Sequence, residues 1–91
     1  MQGYPVSDTS LAAYLYTEGF VIIDIDYSDP IRAEFIFKVN GSSSIEDYER
    51  HKRLYELGKA TVNPSVYSRS YKKLTRIVVK GLPWTEGVTN A

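Results

Sequence analysis

The sequence predicts an α+β domain in which a two-stranded antiparallel hairpin is covered on one face by three helices, in the order α-β-β-α-α. Three observations carry this expectation. Residues 20–39 alternate between apolar and polar positions with period two, the pattern of a half-buried hairpin. The segments on either side carry helix caps and glycine stops. The whole chain has 91 residues, enough for one small domain near the low end of what folds alone. A lone hairpin is marginal in water, so its apolar face needs those helices as a cover.

Residues 1–6 read as a short lead-in in which Pro5 disfavours helix. A helix follows over residues 7–18, with Ser7 and Asp8 as N-cap candidates and Gly19 as its stop. Leu11, Ala12 and Leu15 share one of its faces. The strands span residues 20–27 and 32–39. Val21, Ile23, Ile25 and Tyr27 face one way in the first, and Ala33, Phe35, Phe37 and Val39 in the second. Asp24, Asp26, Arg32, Glu34 and Lys38 take the other face. Asp29 and Pro30 supply the turn between the strands.

A polar run, Asn40 to Ser44, leads into a helix over residues 44–57. Ser44 with Asp47, or Ser43 with Glu46, has the capping-box spacing. Ile45, Tyr48, Leu54 and Tyr55 suggest its apolar side, and Gly58 its end. Asn63 and Pro64 start the last helix, over residues 64–80, as N-cap and first helical residue. Tyr67, Tyr71, Leu74 and Val78 form its apolar stripe. Residues 81–91 read as a loose tail, except where Trp84 packs down.

Composition narrows the function classes. With no Cys, the chain has no disulfide, thiolate metal site or thiol nucleophile, and with one His a structural zinc site is not expected. No run reaches the length of a membrane-spanning helix, and the first ten residues do not have the form of a signal peptide. The expected setting is the cytoplasm, with no membrane partner. Net charge is zero but unevenly placed. Residues 1–47 hold eight acids against two cations, net −6, and residues 48–91 hold nine cations against three acids, net +6. Such asymmetry fits an anionic partner for the second half, attraction between the halves, or head-to-tail stacking of chains.

Candidate chemistry is sparse. Asp24 and Asp26 point the same way on a strand, with Glu34 across the hairpin, a weak divalent-cation arrangement. Cross-strand pairing with Arg32 and Lys38 explains the same residues without a metal, so neither a metal nor any other cofactor is expected. His51 lies among Arg50, Lys52 and Arg53 with no orienting carboxylate beyond Asp47, and reads as a border residue. No Ser or Thr sits in a nucleophile-elbow or phosphate-loop context, and no catalytic residue is assigned. The strongest candidate is the last helix, where Arg69, Lys72, Lys73, Arg76 and Lys80 recur at three- and four-residue spacing with no acid between residues 63 and 80. A solvated amphipathic face is the plain alternative.

The order of several short motifs also resembles a small domain family of phages, prophages and other mobile elements. They are Ser7-Asp8 before Leu11-Ala12-Ala13-Tyr14-Leu15, then Gly19, Phe35-Ile36-Phe37, Tyr55-Glu56-Leu57-Gly58, Val62-Asn63-Pro64, and a last helix with Tyr67 and Leu74. The resemblance covers residues 7–79 and carries no catalytic residue with it. It implies a small accessory protein of a virus or mobile element. The expected function is therefore non-catalytic binding of nucleic acid, or of a nucleic-acid-handling host protein, through the basic last helix. The alternative is an interaction or self-assembling module, an inhibitor or adaptor, using Tyr-rich faces and a hairpin edge that would pair two copies.

Overall fold

The computed structural model describes residues 3–40 and 43–85. The chain is α+β, with strand β1 (Gly3–Val6), helix α1 (Thr9–Thr17), strands β2 (Ile22–Asp26) and β3 (Glu34–Lys38), and helices α2 (Ile45–Glu56) and α3 (Pro64–Val79). The sheet has three strands in the order β1-β3-β2, all antiparallel. This corrects the expected two-stranded hairpin and the α-β-β-α-α order. The supposed lead-in is a strand. It pairs Tyr4 with Phe37 and Val6 with Phe35, so β3 is central and the hairpin's β3 edge is occupied. Gly3 makes that pairing close, because a Cβ placed there would stand 2.2 Å from Ile36 Cγ2.

The exposed edges are blunted. Pro5 removes an N–H from β1, and β2 carries two exposed aspartates and a bulge between Ile22 and Asp24. The bulge also corrects the expected face of β2. Ile22 and Ile25 point into the core together, whereas Val21 is exposed and Ile23 is only partly covered. On β3 the expected alternation holds, with Phe35 and Phe37 buried and Ala33 and Val39 packed beside them.

Helix α1 lies against this inner face. Asp8 caps it by accepting from the Ser10 N–H at 2.9 Å. Its residues 11–15 are all buried, not only the expected Leu11, Ala12 and Leu15. Helix α2 opens on the full capping box, with Ser44 and Asp47 each accepting from the other's backbone N–H. Asn63 caps α3 through the Ser65 and Val66 N–H groups, with Pro64 in the first turn. All three helices end alike. Gly19, Gly58 and Gly81 take positive φ, and the following N–H bonds five residues back, as in Phe20 to Leu15 O.

Aromatic rings join the layers. Tyr48, fully buried, stacks on Tyr4 at 4.8 Å, meets Phe20 at 4.5 Å and Phe37 at 5.7 Å, and donates to Lys38 O at 2.6 Å. Tyr27 ties the end of β2 to the end of α3 by donating to Leu82 O at 2.6 Å. Part of the expected loose tail is thus packed, and Trp84 lies edge-on to Tyr16 at 5.8 Å. Residues 86–91 of that tail lie outside the described residues, as do Gly41 and Ser42 of the polar turn.

The ring cluster can be tested at its centre. Tyr48→Ala removes a whole buried ring and should cost about 3–5 kcal/mol in urea unfolding, against about 1 kcal/mol for Tyr48→Phe, which loses only the bond to Lys38 O. Equal costs for the two would show that the ring does not anchor α2. The same rings set the response to alkaline pH. Burial raises the phenol pKa of Tyr4, Tyr14, Tyr27, Tyr48 and Tyr55, and the Glu49 carboxylate raises Tyr4 further; Tyr48 is pushed up to about 12. The folded state therefore holds these protons more tightly than the unfolded chain, whose phenols titrate near pH ~10. Their contribution is complete below that pH and is lost as pH rises through the folded values. Denaturation midpoints measured between neutral pH and pH ~11 should fall only above about 10. A midpoint that holds steady across that range would contradict this account of the rings.

Candidate functional site

Helix α3 separates its residues by character. Tyr67, Ser70, Leu74, Ile77 and Val78 face inward, with Ser70 and Leu74 buried. Ser70 replaces Tyr71 in the expected stripe: Tyr71 is 39% exposed and stacks on Tyr67 at 6.3 Å. Where α3 meets α1, the Thr17 hydroxyl donates to Ala13 O at 2.8 Å and lies 3.1 Å from Ser70 Oγ. Small polar residues satisfy each other at that contact and leave the two helices room to approach.

The outward face carries Arg69, Lys72, Arg76 and Lys80, all exposed. From Arg69 to Lys80 the row spans about 16 Å along the helix axis. None of the four has an ion-pair partner among the described residues, where Arg50 to Asp47, three residues apart on α2 at 2.6 Å, is the only ion pair. The one ion pair thus lies within α2, and none reaches the cations of α3 among the described residues.

Lys73 stands apart from the other four. It is half-buried, its Nζ donates to the Tyr16 hydroxyl at 2.8 Å, and it lies 5.1 Å from the Tyr16 ring centre and 5.3 Å from that of Trp84. Its position toward Ile77 on the helical wheel brings it within reach of α1 and the tail. Sequence spacing alone does not separate it from its four neighbours, because the distinction depends on where Tyr16 and Trp84 arrive.

The other candidates do not converge. Asp26 stands opposite Glu34, but Asp24 stands opposite Ile36. Each aspartate serves its own backbone: Asp24 accepts from the Ile25 N–H, and Asp26 accepts from the Ser28 N–H, which holds its carboxyl below the usual range. Among the described residues no group of three or more His, Asp or Glu could hold a metal ion. His51 faces the core border, edge-on to Phe20 at 4.9 Å, with Nδ1 2.9 Å from Asp47 O. A carbonyl only accepts, so that nitrogen carries the proton.

Helix α2 departs from expectation. Tyr48 is its only buried residue and Tyr55 packs against the core, but Ile45 and Leu54, expected on the apolar side, are 48% and 38% exposed. With Leu57, at 62%, they flank Glu46, Glu49, Arg50 and Arg53 around an open depression. The sequence signal was their spacing: nine residues put Ile45 and Leu54 about 180° apart on the helix, so they flank the inward Tyr48 and Tyr55 instead of sharing their side.

The family profile described as a domain of unknown function, DUF5659, matches residues 1–59. The chain belongs to this family. No curated protein and no solved structure matches the chain. The DUF5659 match runs from β1 through the end of α2 and stops before Asn63. The Val62-Asn63-Pro64 step, α3 and all five candidate cations therefore lie beyond the matched residues, although the resemblance was expected to reach residue 79. No helix among the described residues is long and apolar enough to cross a membrane.

The placement of Lys73 is open to test. Lys73→Ala should cost about 1 kcal/mol in thermal or urea unfolding and shift the Trp84 emission, whereas Lys72→Ala should stay within about 0.5 kcal/mol. Equal effects at the two positions would return Lys73 to the outer stripe.

Proposed function

We propose that this chain is a small non-catalytic accessory protein of a virus or mobile element that binds nucleic acid through α3. The observation that carries the reading is the row of four cations, Arg69, Lys72, Arg76 and Lys80, with no ion-pair partner among the described residues and no acid on their helix face. Duplex DNA carries one negative charge per ~1.7 Å of axis, so a row of about 16 Å spans several phosphates. The mobile-element setting rests on the motif resemblance. Lys73, half-buried against Tyr16 and Trp84, is assigned to holding the helix in place.

The same face favours duplex backbone over single strands. Single-strand binders interleave cations with aromatic rings on which bases stack. Here the cations are interleaved with Ser65, Ser68 and Val79, while Tyr67 and Tyr71 lie on other sides of the helix. Contacts confined to phosphates position a protein without reading sequence. A nucleic-acid-handling protein with an acidic face is the related partner. The interaction-module alternative draws support from the exposed Ile45, Leu54 and Leu57 rather than from a strand edge, since β1 covers the β3 edge and Pro5 and the β2 bulge blunt the others.

Fluorescence anisotropy with labelled DNA and RNA, single- and double-stranded, tests the proposal. Binding should be strongest to duplex and insensitive to sequence, with a log–log salt slope of roughly −3 to −4 for four phosphate contacts. Replacing Arg69, Lys72, Arg76 and Lys80 by Ala together should abolish it, while Lys73→Ala should leave the slope unchanged. Absence of binding at low salt, or binding that survives the fourfold replacement, would refute the reading.

A further inference from the structure

The helices lie on the inner face of the sheet, and its outer face has no cover among the described residues. The strand register sets out that outer face in rows. Asp26 stands opposite Glu34 in one row, Asp24, Ile36 and Pro5 form the next, and Lys38 with Gly3 the one beyond. The three acids therefore share one corner, over β2 and the start of β3, with Ile36 and the bulge residue Ile23 beside them. Asp29, exposed in the loop after β2, adds a fourth acid at that end. Lys38 lies two rows from Glu34. Arg32 is turned away from the face, because it lines a depression with Asp8 and Tyr71 on the side of α1 and α3.

Like charges directly opposite on paired strands are destabilising, as Asp26 and Glu34 are here. The like-charged neighbours along α3 repel in the same way. Each arrangement is what the other lacks, and the spacings agree. Lys72 and Arg76, four residues apart on a helix, stand about 6 Å apart along its axis. Asp24 and Asp26, two residues apart on a strand, stand about 6.7 Å apart. A helix laid along β2 in either direction therefore sets two cations over two acids at once, with Arg69 or Lys80 reaching toward Asp29. Both aspartates accept a backbone N–H, from Ile25 and Ser28, which holds their carboxylates in place. Within one chain the two faces cannot meet, because α3 packs on α1 and α1 lies against the inner face of the sheet.

We infer that the outer face of the sheet receives α3 of a second copy of this chain, head to tail. The two surfaces are different, so each contact leaves one of either kind free and the association is open-ended. One face of a 16-residue helix buries less than the ~800 Å² per partner of a standard interface. The contact is accordingly weak, with a dissociation constant on the order of 0.1 mM, and salt-sensitive. It needs no strand edge. It covers the cation row to which nucleic acid is proposed to bind, so the two events exclude each other, but it does not depend on that reading.

Charge reversal tests the contact on solvent-facing positions alone. Sedimentation equilibrium without nucleic acid, at low salt and protein concentrations up to ~1 mM, reads the association. The wild-type mass should rise past that of a dimer. Reversing the sheet corner in D24K/D26K, or the helix in K72E/R76E, should each weaken association about tenfold. An equimolar mixture of the two variants should recover it to within about threefold of the wild type, because the unaltered sheet of one meets the unaltered helix of the other and the reversed faces match in turn. Circular dichroism confirms that each variant is folded. Glu34→Lys, which leaves the backbone bonds of both aspartates intact, should also weaken association and decides the matter if D24K/D26K does not fold. A wild-type chain that stays monomeric at ~1 mM would overturn the inference, and so would a mass that levels off at a dimer, reversals without effect, or a mixture that does not recover.

Discussion

The structure depends on one constraint, that α1 is enclosed on every side. Residues 11–15 are buried consecutively, and Ala12, Ala13 and Leu15 are fully covered. An amphipathic helix needs cover on one side, but a helix apolar around its circumference needs a surface against each face. The sheet supplies one, through Ile22, Ile25, Phe35 and Phe37, and Val6 extends it by way of β1. Helix α3 supplies another through Ser70 and Leu74, and α2 closes the remaining side with Tyr55 against Tyr14 at 5.6 Å. The two alanines let these elements come close, at the cost of contributing little apolar area themselves.

The same constraint explains why each covering element keeps a free side. A sheet, α2 and α3 surround a nine-residue helix, so each uses one face inward and has no further layer behind it among the described residues. Long Tyr side chains bridge the distances that a core of this size leaves. Their rings pack inward, and their hydroxyls reach backbone carbonyls or carboxylates at the rim, as Tyr27 does with Leu82 O and Tyr4 with Glu49. The free outer faces are therefore those of the sheet, α2 and α3.

The parts of this arrangement that were legible in the sequence are those decided within a few residues. Ser44 with Asp47, Asn63 with Pro64, and the three glycines after the helices act on their own backbone, and each does what its local chemistry requires. What was hidden depends on distant partners. A four-residue run that contains a Pro has no strand signal of its own, and β1 forms because β3, some thirty residues on, offers it an edge. The bulge that turns Ile22 and Ile25 inward together breaks the period-two rule by one residue. Ser70 is polar in type but sits where α1 and α3 touch, so a hydrophobicity pattern passes over it. Lys73 and the outward Ile45 and Leu54 are the same lesson in reverse, because residue type placed them on one surface and tertiary contacts placed them on another.

The basic face of α3 has an energetic consequence for the helix itself. Arg69 with Lys72 and Lys73, Lys72 and Lys73 with Arg76, and Arg76 with Lys80 are like-charged neighbours three or four residues apart. At about 0.2–0.5 kcal/mol each, these five pairs weaken the helix by roughly 1–2.5 kcal/mol at low salt. Lys73 offsets part of this by turning its charge onto the Tyr16 and Trp84 rings. For the other four cations nothing in the described chain compensates, although the chain as a whole contains as many acids as cations. Acids interleaved at the same spacing would have stabilised the helix and kept it equally soluble. A stretch that forgoes such a gain is where local consistency yields to another demand on the sequence. Phosphates docked along the row would remove the repulsion, so binding should stiffen the helix at the positions where the free chain is most strained by charge.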